Sequence, residues 1–305
     1  YAELYASTGI GSIADPLETA ASQITLTTGS GEIGVINSGS LVLESLTNSG
    51  SGANAVGTTG TMVLLNPIGV PGNLFLGANN GMVIDQVINA GAGLTLSAGA
   101  GDLGFNGVGV HGNNVTLSGN NILIGFTTST APTTVSASNL LKATSAGNLN
   151  VLGGASASAN ALLEGLNVDL TVGTMAGFLN VVSGSSGASA KIHSVSPTTI
   201  TIDFPNLGSG GYFVNGVEGA ITNGSTGFFA GALPAVLGQN LMITYGGAVS
   251  VPNLPPLVIQ ANNQVIIATN NLATDLMEPE PENTNSDDPS ATLGDKDKKN
   301  LPVCR

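Results

Sequence analysis

The side chains able to do acid–base or nucleophilic chemistry are few and widely spaced. His111, in Val110-His111-Gly112, and His193, in Lys191-Ile192-His193, are the two histidines. A Ser-His-Asp arrangement through His193 would draw on Asp169 or Asp203. No nucleophile-elbow motif accompanies it, so both histidines read as surface imidazoles. Glycoside cleavage needs paired carboxylates, or a cation site with a basic partner. The carboxylates of residues 1–276 are Glu3, Asp15, Glu18, Glu32, Glu44, Asp85, Asp102, Glu164, Asp169, Asp203, Glu218 and Asp275, and only Asp15 and Glu18 are close in sequence. Asp85 and Asp102 lie a little closer than one solenoid repeat of about 20 residues, at the margin of what such a repeat could bring together. Lys142 and Lys191 are the only bases a lyase could use in that stretch. The predicted catalytic set is therefore empty. His and Cys lack metal-ligand spacing and calcium-binding nonapeptides are missing, so no metal or cofactor is expected.

Three further residues are candidates for modification or tethering. Asn114-Val115-Thr116 and Asn223-Gly224-Ser225 match the glycosylation sequon. Cys304 is the single cysteine, which excludes an internal disulfide and leaves a tethering thiol near the C-terminus.

The elements that must position these residues repeat. Leu94-Thr95-Leu96-Ser97 and Val115-Thr116-Leu117-Ser118 share one grammar, and Ile24-Thr25-Leu26-Thr27 resembles both. Each is followed by a second apolar unit: Leu103-Gly104-Phe105, Ile124-Gly125-Phe126 and Ile33-Gly34-Val35. The step from Leu96 to Leu117 equals the step from Phe105 to Phe126, and Leu74-Phe75-Leu76 precedes Leu94-Thr95-Leu96 by almost the same interval. Short strands recurring at about 20 residues signal a solenoid, whose rungs bury their apolar faces by stacking. Gly, Asn and Ser clusters such as Asn79–Gly81, Gly112–Asn114 and Gly119–Asn121 supply the turns. An antiparallel sandwich or barrel competes locally, because Asn215-Gly216 and Asn223-Gly224 are hairpin signals.

Composition agrees with many short strands. Hydrophobic residues make up 42%, charged residues 8%, and glycines number 44, against about 25% charged residues in ordinary domains. The net charge is −13. With so few Lys and Arg to face phosphates, nucleic acid and anionic membrane surfaces are excluded as partners. No apolar run is long enough for a membrane-spanning helix. The chain opens at Tyr1 without a leader, which suggests a processed or excised piece of a longer precursor.

The repeats GLTLSAGAGDLGF and NVTLSGNNILIGF, over about residues 23–183, resemble those of filamentous-haemagglutinin-like exoproteins exported by two-partner secretion. Asn66-Pro67-Ile68-Gly69-Val70 is similar to the Asn-Pro-Asn-Gly-Ile motif of that family's secretion domain, with Ile68 in place of the second Asn. The ending Leu301-Pro302-Val303-Cys304-Arg305 is similar to the C-terminus of some of these exoproteins. The resemblance implies export through an outer-membrane partner, a cell-surface or extracellular location, and adhesion or biofilm roles.

The expected fold is all-β, a right-handed parallel β-helix. Residues 1–22 form a lead-in segment or cap, with a short helix over 12–22. Residues 23–204 form the β-helix, with loops leaving it at 127–146 and 184–190. Residues 205–276 form irregular terminal coils or a cap, and 277–305 a disordered charged tail. The expected function is the adhesive, non-catalytic shaft of an exoprotein. Its partners are a host or neighbouring cell surface, protein or glycan, or further copies in a fibre. A carbohydrate-active β-helix enzyme is the alternative. Ice binding through Thr25, Thr95 and Thr116 is a lesser one.

Overall fold

The computed structural model describes residues 1–204 except 175–176, 185 and 195–198. Beyond them it describes the strands Gly211–Val214, Val217–Ala220, Gly227–Phe229, Val236–Leu237 and Asn240–Tyr245. Cys304, Asn223, Val265-Ile266-Ile267 and the charged tail lie outside the described residues.

Alternation sets the elements. In Leu74–Ala78 and Gly93–Ser97 the leucines Leu74, Leu76, Leu94 and Leu96 are buried, while Phe75 and Thr95 point outward. A two-residue period does this only in an extended chain. Among the described residues every regular element is a strand.

The strands form an eleven-stranded and a fifteen-stranded sheet. Successive passes of the chain contribute one strand to the first sheet, then one to the second. Met62–Leu64, Met82–Ile84 and Leu103–Phe105 are consecutive neighbours in the first. Asn54–Thr58, Leu74–Ala78 and Gly93–Ser97 are consecutive in the second. Both sheets are parallel from Ala2 to Phe204. Parallel neighbours need a crossover, and here the other sheet's strand provides it, an arrangement consistent with a solenoid. The antiparallel pairs join Gly211–Val214 to Val217–Ala220, flanking the hairpin signal Asn215-Gly216, and Gly227–Phe229 to Asn240–Tyr245.

Between the sheets runs one buried cluster from Ile10 to Ile202. Its order is visible in the ladder Val56, Leu76, Leu96, Leu117, Ala143, Leu170 and Ile202, each in register with the next. At one corner stacked amides tie the rungs together. Asp102 Oδ1 accepts from the Asn121 backbone N–H (3.0 Å), Asn121 Nδ2 (2.9 Å) and Asn120 Nδ2 (3.1 Å). Asn121 Oδ1 then accepts from the Asn148 N–H at 2.8 Å, and Asn148 Oδ1 from the Phe178 N–H at 2.9 Å.

Several expectations are overturned. Residues 12–22 hold no helix. Ser12 Oγ accepts from the Asp15 N–H at 2.9 Å in a turn, Pro16 favours extended backbone before it, and Leu17–Thr19 pairs with Val35–Asn37. Ala2–Ala6 pairs in parallel with Gln23–Thr28, so the lead-in segment 1–22 contributes one strand to each sheet. The predicted loop 127–146 holds the strand Thr133–Ser145, which alternates on either side of the exposed stretch Ser138–Leu140; there its pairing slips, and the partner strand Ala161–Val172 changes phase between Gly165 and Val168. Gly112–Asn114, expected as a turn, is a bulge inside Gly109–Gly119.

The repeat alignment is partly out of phase. Leu94–Ser97 and Val115–Ser118 do pair, but Gln23–Thr28 belongs to the other sheet. Phe105 pairs with Ile124, two positions before its sequence counterpart Phe126. Gly125, at φ +80°, ends that strand and lets Phe126 fold back, with its ring 2.9 Å from where a Cβ on Gly104 would sit. Leu123, Phe126 and Leu152 thereby form a second small buried cluster on the outer side of the first sheet.

Candidate binding surfaces

Among the described residues, His111, Ser136, Glu164 and His193 sit at outward strand positions, and register decides which meet. His111 pairs with Ser136, Ser136 with Glu164, and Glu164 with His193, so four successive rungs place them in one row. His111 Nδ1 lies 3.0 Å from Ser136 Oγ, and Nε2 lies 3.2 Å from Ser138 Oγ. His193 Nδ1 lies 2.7 Å from Glu164 Oε2, both about a third exposed or less. The partner of His193 is thus Glu164, not Asp169 or Asp203. Asp169 lies further along the same strand as Glu164, about 16 Å away.

The order of this row limits its chemistry. Acyl transfer needs an imidazole between a serine and a carboxylate, so that the ring takes the serine proton while the acid holds its tautomer. Here the serine sits between the histidine it touches and the glutamate. Both nitrogens of the ring that touches Ser136 face hydroxyls. The row offers hydrogen-bonding groups on an open face rather than a charge-coupled nucleophile.

The other candidates are dispersed. Asp102 is committed to its corner amides. Asp85 follows the strand Met82–Ile84, whereas Asp102 precedes Leu103–Phe105. They therefore stand at opposite ends of neighbouring strands. Lys142 is exposed in register with Thr116 and Asp169, and Lys191 is exposed in register with Leu162. Among the described residues no three His, Cys, Asp or Glu side chains converge on a metal position. Asn114 is exposed, and its Oδ1 accepts from Asn139 Nδ2 at 2.9 Å. Thr95 and Thr116 are neighbours on the second sheet, but Thr25 is on the first, so the threonines do not form one ladder.

Two surface features were not predicted. At the first rung, Tyr1 and Tyr5 flank Glu3, and their hydroxyls donate to its carboxylate oxygens at 2.5 and 3.3 Å. The Glu3 carboxylate, which the phenol proton satisfies, pushes Tyr1 up to about 12. Glu44 is held below its usual range, first by the hydrogen bond from Gln23 Nε2 at 2.8 Å.

The second feature is an apolar groove of about 550 Å³ on the outer side of the second sheet. Ile13, Pro16, Ile36 and Phe75 line it, over a floor that includes Ala55, Gly57 and Gly77. Ile36 and Phe75 are 47% and 42% exposed, whereas the outward neighbours of Phe75 on adjacent rungs are Ala55 and Thr95. An aromatic at the outward position of an otherwise small-residue row was the sequence signal for this site. A scan against protein-family models, a search of curated proteins and a search of solved structures each return no match.

Proposed function

We propose that the chain is a right-handed parallel β-helix acting as the adhesive shaft of a secreted or surface-exposed exoprotein of the filamentous-haemagglutinin-like type. The observation that carries the reading is the parallel rung-to-rung pairing from Ala2 to Phe204 around one continuous aliphatic core. Such a body is stiff and presents long rows of side chains to a partner. The serine-centred row and the corner-bound Asp102 favour binding over catalysis. The repeat grammar supports the exoprotein kinship, with a cell surface as partner and an outer-membrane pore as export route.

Two measurements test this. Ten parallel strands in the first sheet, the eleven less the antiparallel last one, at about 4.8 Å per step make a body on the order of 43 Å along its axis. Small-angle scattering should return an elongated particle, and a globular profile refutes the shaft. Beads coated with the chain should adhere to cell or polysaccharide films without shortening the polysaccharide, and depolymerisation would favour the enzyme instead.

A further inference from the structure

The geometry points to the groove over Gly57 as a binding site for a neutral, flat saccharide chain. This deepens the adhesive reading and rests on it. The floor is low because glycines stand at its outward positions. A Cβ on Gly57 would meet nothing within 4 Å, so there is open space between Ile36 and Gly77, its register neighbours on either side. Phe75 supplies one wall. A Cβ on Gly77 would lie 2.9 and 3.0 Å from Phe75 Cε1 and Cζ, so the ring leans along its own strand over that glycine. The glycine lets an exposed aromatic lie against the sheet, which presents π surface to whatever enters. Ile13 and Ile36 supply further apolar contact.

The lining also defines the ligand's polarity. None of its residues is ionisable, and Thr59, Asn79 and Ser97 contribute uncharged hydroxyl and amide groups. Thr59 Oγ1 already accepts from the Gly39 N–H at 2.8 Å, and Ser97 Oγ from Ser118 Oγ at 3.0 Å, so each hydroxyl keeps its proton to donate. Apolar walls with a few uncharged polar groups suit a ligand that is hydrocarbon on its faces and hydroxylated at its edges. An equatorially linked hexose chain has that form. A charged sugar would lose water without gaining a partner. An added peptide strand needs a sheet edge, whereas the strands beneath the groove are paired on both sides.

The test is saturation-transfer NMR on the whole chain with cellotetraose, tetragalacturonate and octanol as separate probes. Cellotetraose should receive saturation at its ring C–H protons and show a titratable affinity. Phe75→Ala should weaken it about tenfold through the lost stack and contact area. Asn79→Ala should weaken it about fivefold by removing one neutral hydrogen bond. Gly77→Val should act like Phe75→Ala by lifting the ring. If Gly77→Val alters the far-UV spectrum, the exposed changes at Phe75 and Asn79 decide the matter. The proposal is overturned by absence of transfer to cellotetraose, by unchanged affinity in Phe75→Ala, or by tetragalacturonate or octanol binding as well as cellotetraose. Sedimentation as a dimer that Phe75→Ala dissociates would assign the groove to a second copy and overturn it as well. Failure of sugar binding in a particle that scatters as a rod removes this site and leaves the shaft standing.

Discussion

Replacing Leu96 by alanine tests the stacking on which every other statement depends. Leu96 is fully buried, and its register neighbours on either side, Leu76 and Leu117, are fully buried too. The change removes three carbons, worth about 2.4 kcal/mol at about 0.8 kcal/mol per buried methylene. Collapse around the hole is restricted, because the backbones above and below are held by paired strands. A cavity contribution of about 1 kcal/mol therefore brings the loss to about 3–4 kcal/mol, within the range of measured buried Leu→Ala changes. Thr95→Ala, one residue away on the outer side, should cost no more than about 0.5 kcal/mol. Urea unfolding followed by far-UV circular dichroism measures both, with an unchanged slope showing that the midpoint shift is a stability change. Equal losses at the two positions, or a loss below about 1 kcal/mol at Leu96, would refute the inward–outward assignment and the ladder with it.

Gly125→Ala should be more disruptive than its size suggests. Its φ is +80° and the new Cβ would press into the Leu152 carbonyl oxygen, so a loss of at least about 2 kcal/mol is expected in the same assay. Asp102→Ala leaves three donors of the corner without their acceptor and should cost about 1–3 kcal/mol, with Asp102→Asn losing less. Tyrosinate absorbance should show Tyr1 ionising near 12 rather than at its ordinary 10.0, and Glu3→Gln should move it back towards 10.0. Because the folded value is raised, any stability from this contact is complete below 10.0 and fades as pH rises towards 12. A Tyr1 titration that Glu3→Gln leaves in place would refute the contact.

The fold was legible where rung length held constant. Leu74, Leu94 and Val115 recur at a nearly even step and do pair, because inward aliphatics and outward small residues can satisfy a pleated rung in only one phase. Legibility failed where the step changed. At the amide corner the sequence separation is 18 to 19 from Asp102 to Asn120 and Asn121, then 27 from Asn121 to Asn148 and 30 from Asn148 to Phe178. The strand pairs Ile122 to Leu149 and Leu149 to Leu179 lengthen in the same way, so no fixed period finds them. The added residues are small and polar, which made Thr133–Ser145 look like a loop although each half alternates. Phe126 misled in another way. Its resemblance to Phe105 is real in sequence, but the left-handed turn at Gly125 sends it outside, where it packs on Leu152.

The same arithmetic explains why the polar row was invisible. The sequence separation is 25 between His111 and Ser136 and 29 between Glu164 and His193. A search from either histidine at the repeat of about 20 residues therefore finds neither its serine nor its glutamate. In a stacked chain the contacts of a side chain are set by the summed length of the intervening loops, which carry no imprint of the contact. Inward positions escape this difficulty because burial selects their residue types one at a time. Outward chemistry has no such local signature, and only an anomaly of type, such as Phe75 among Ala55, Thr95 and the glycines, marks it. That asymmetry makes the groove the surface feature a sequence of this kind can be asked to reveal, and it makes the His111–His193 row one that required the register itself.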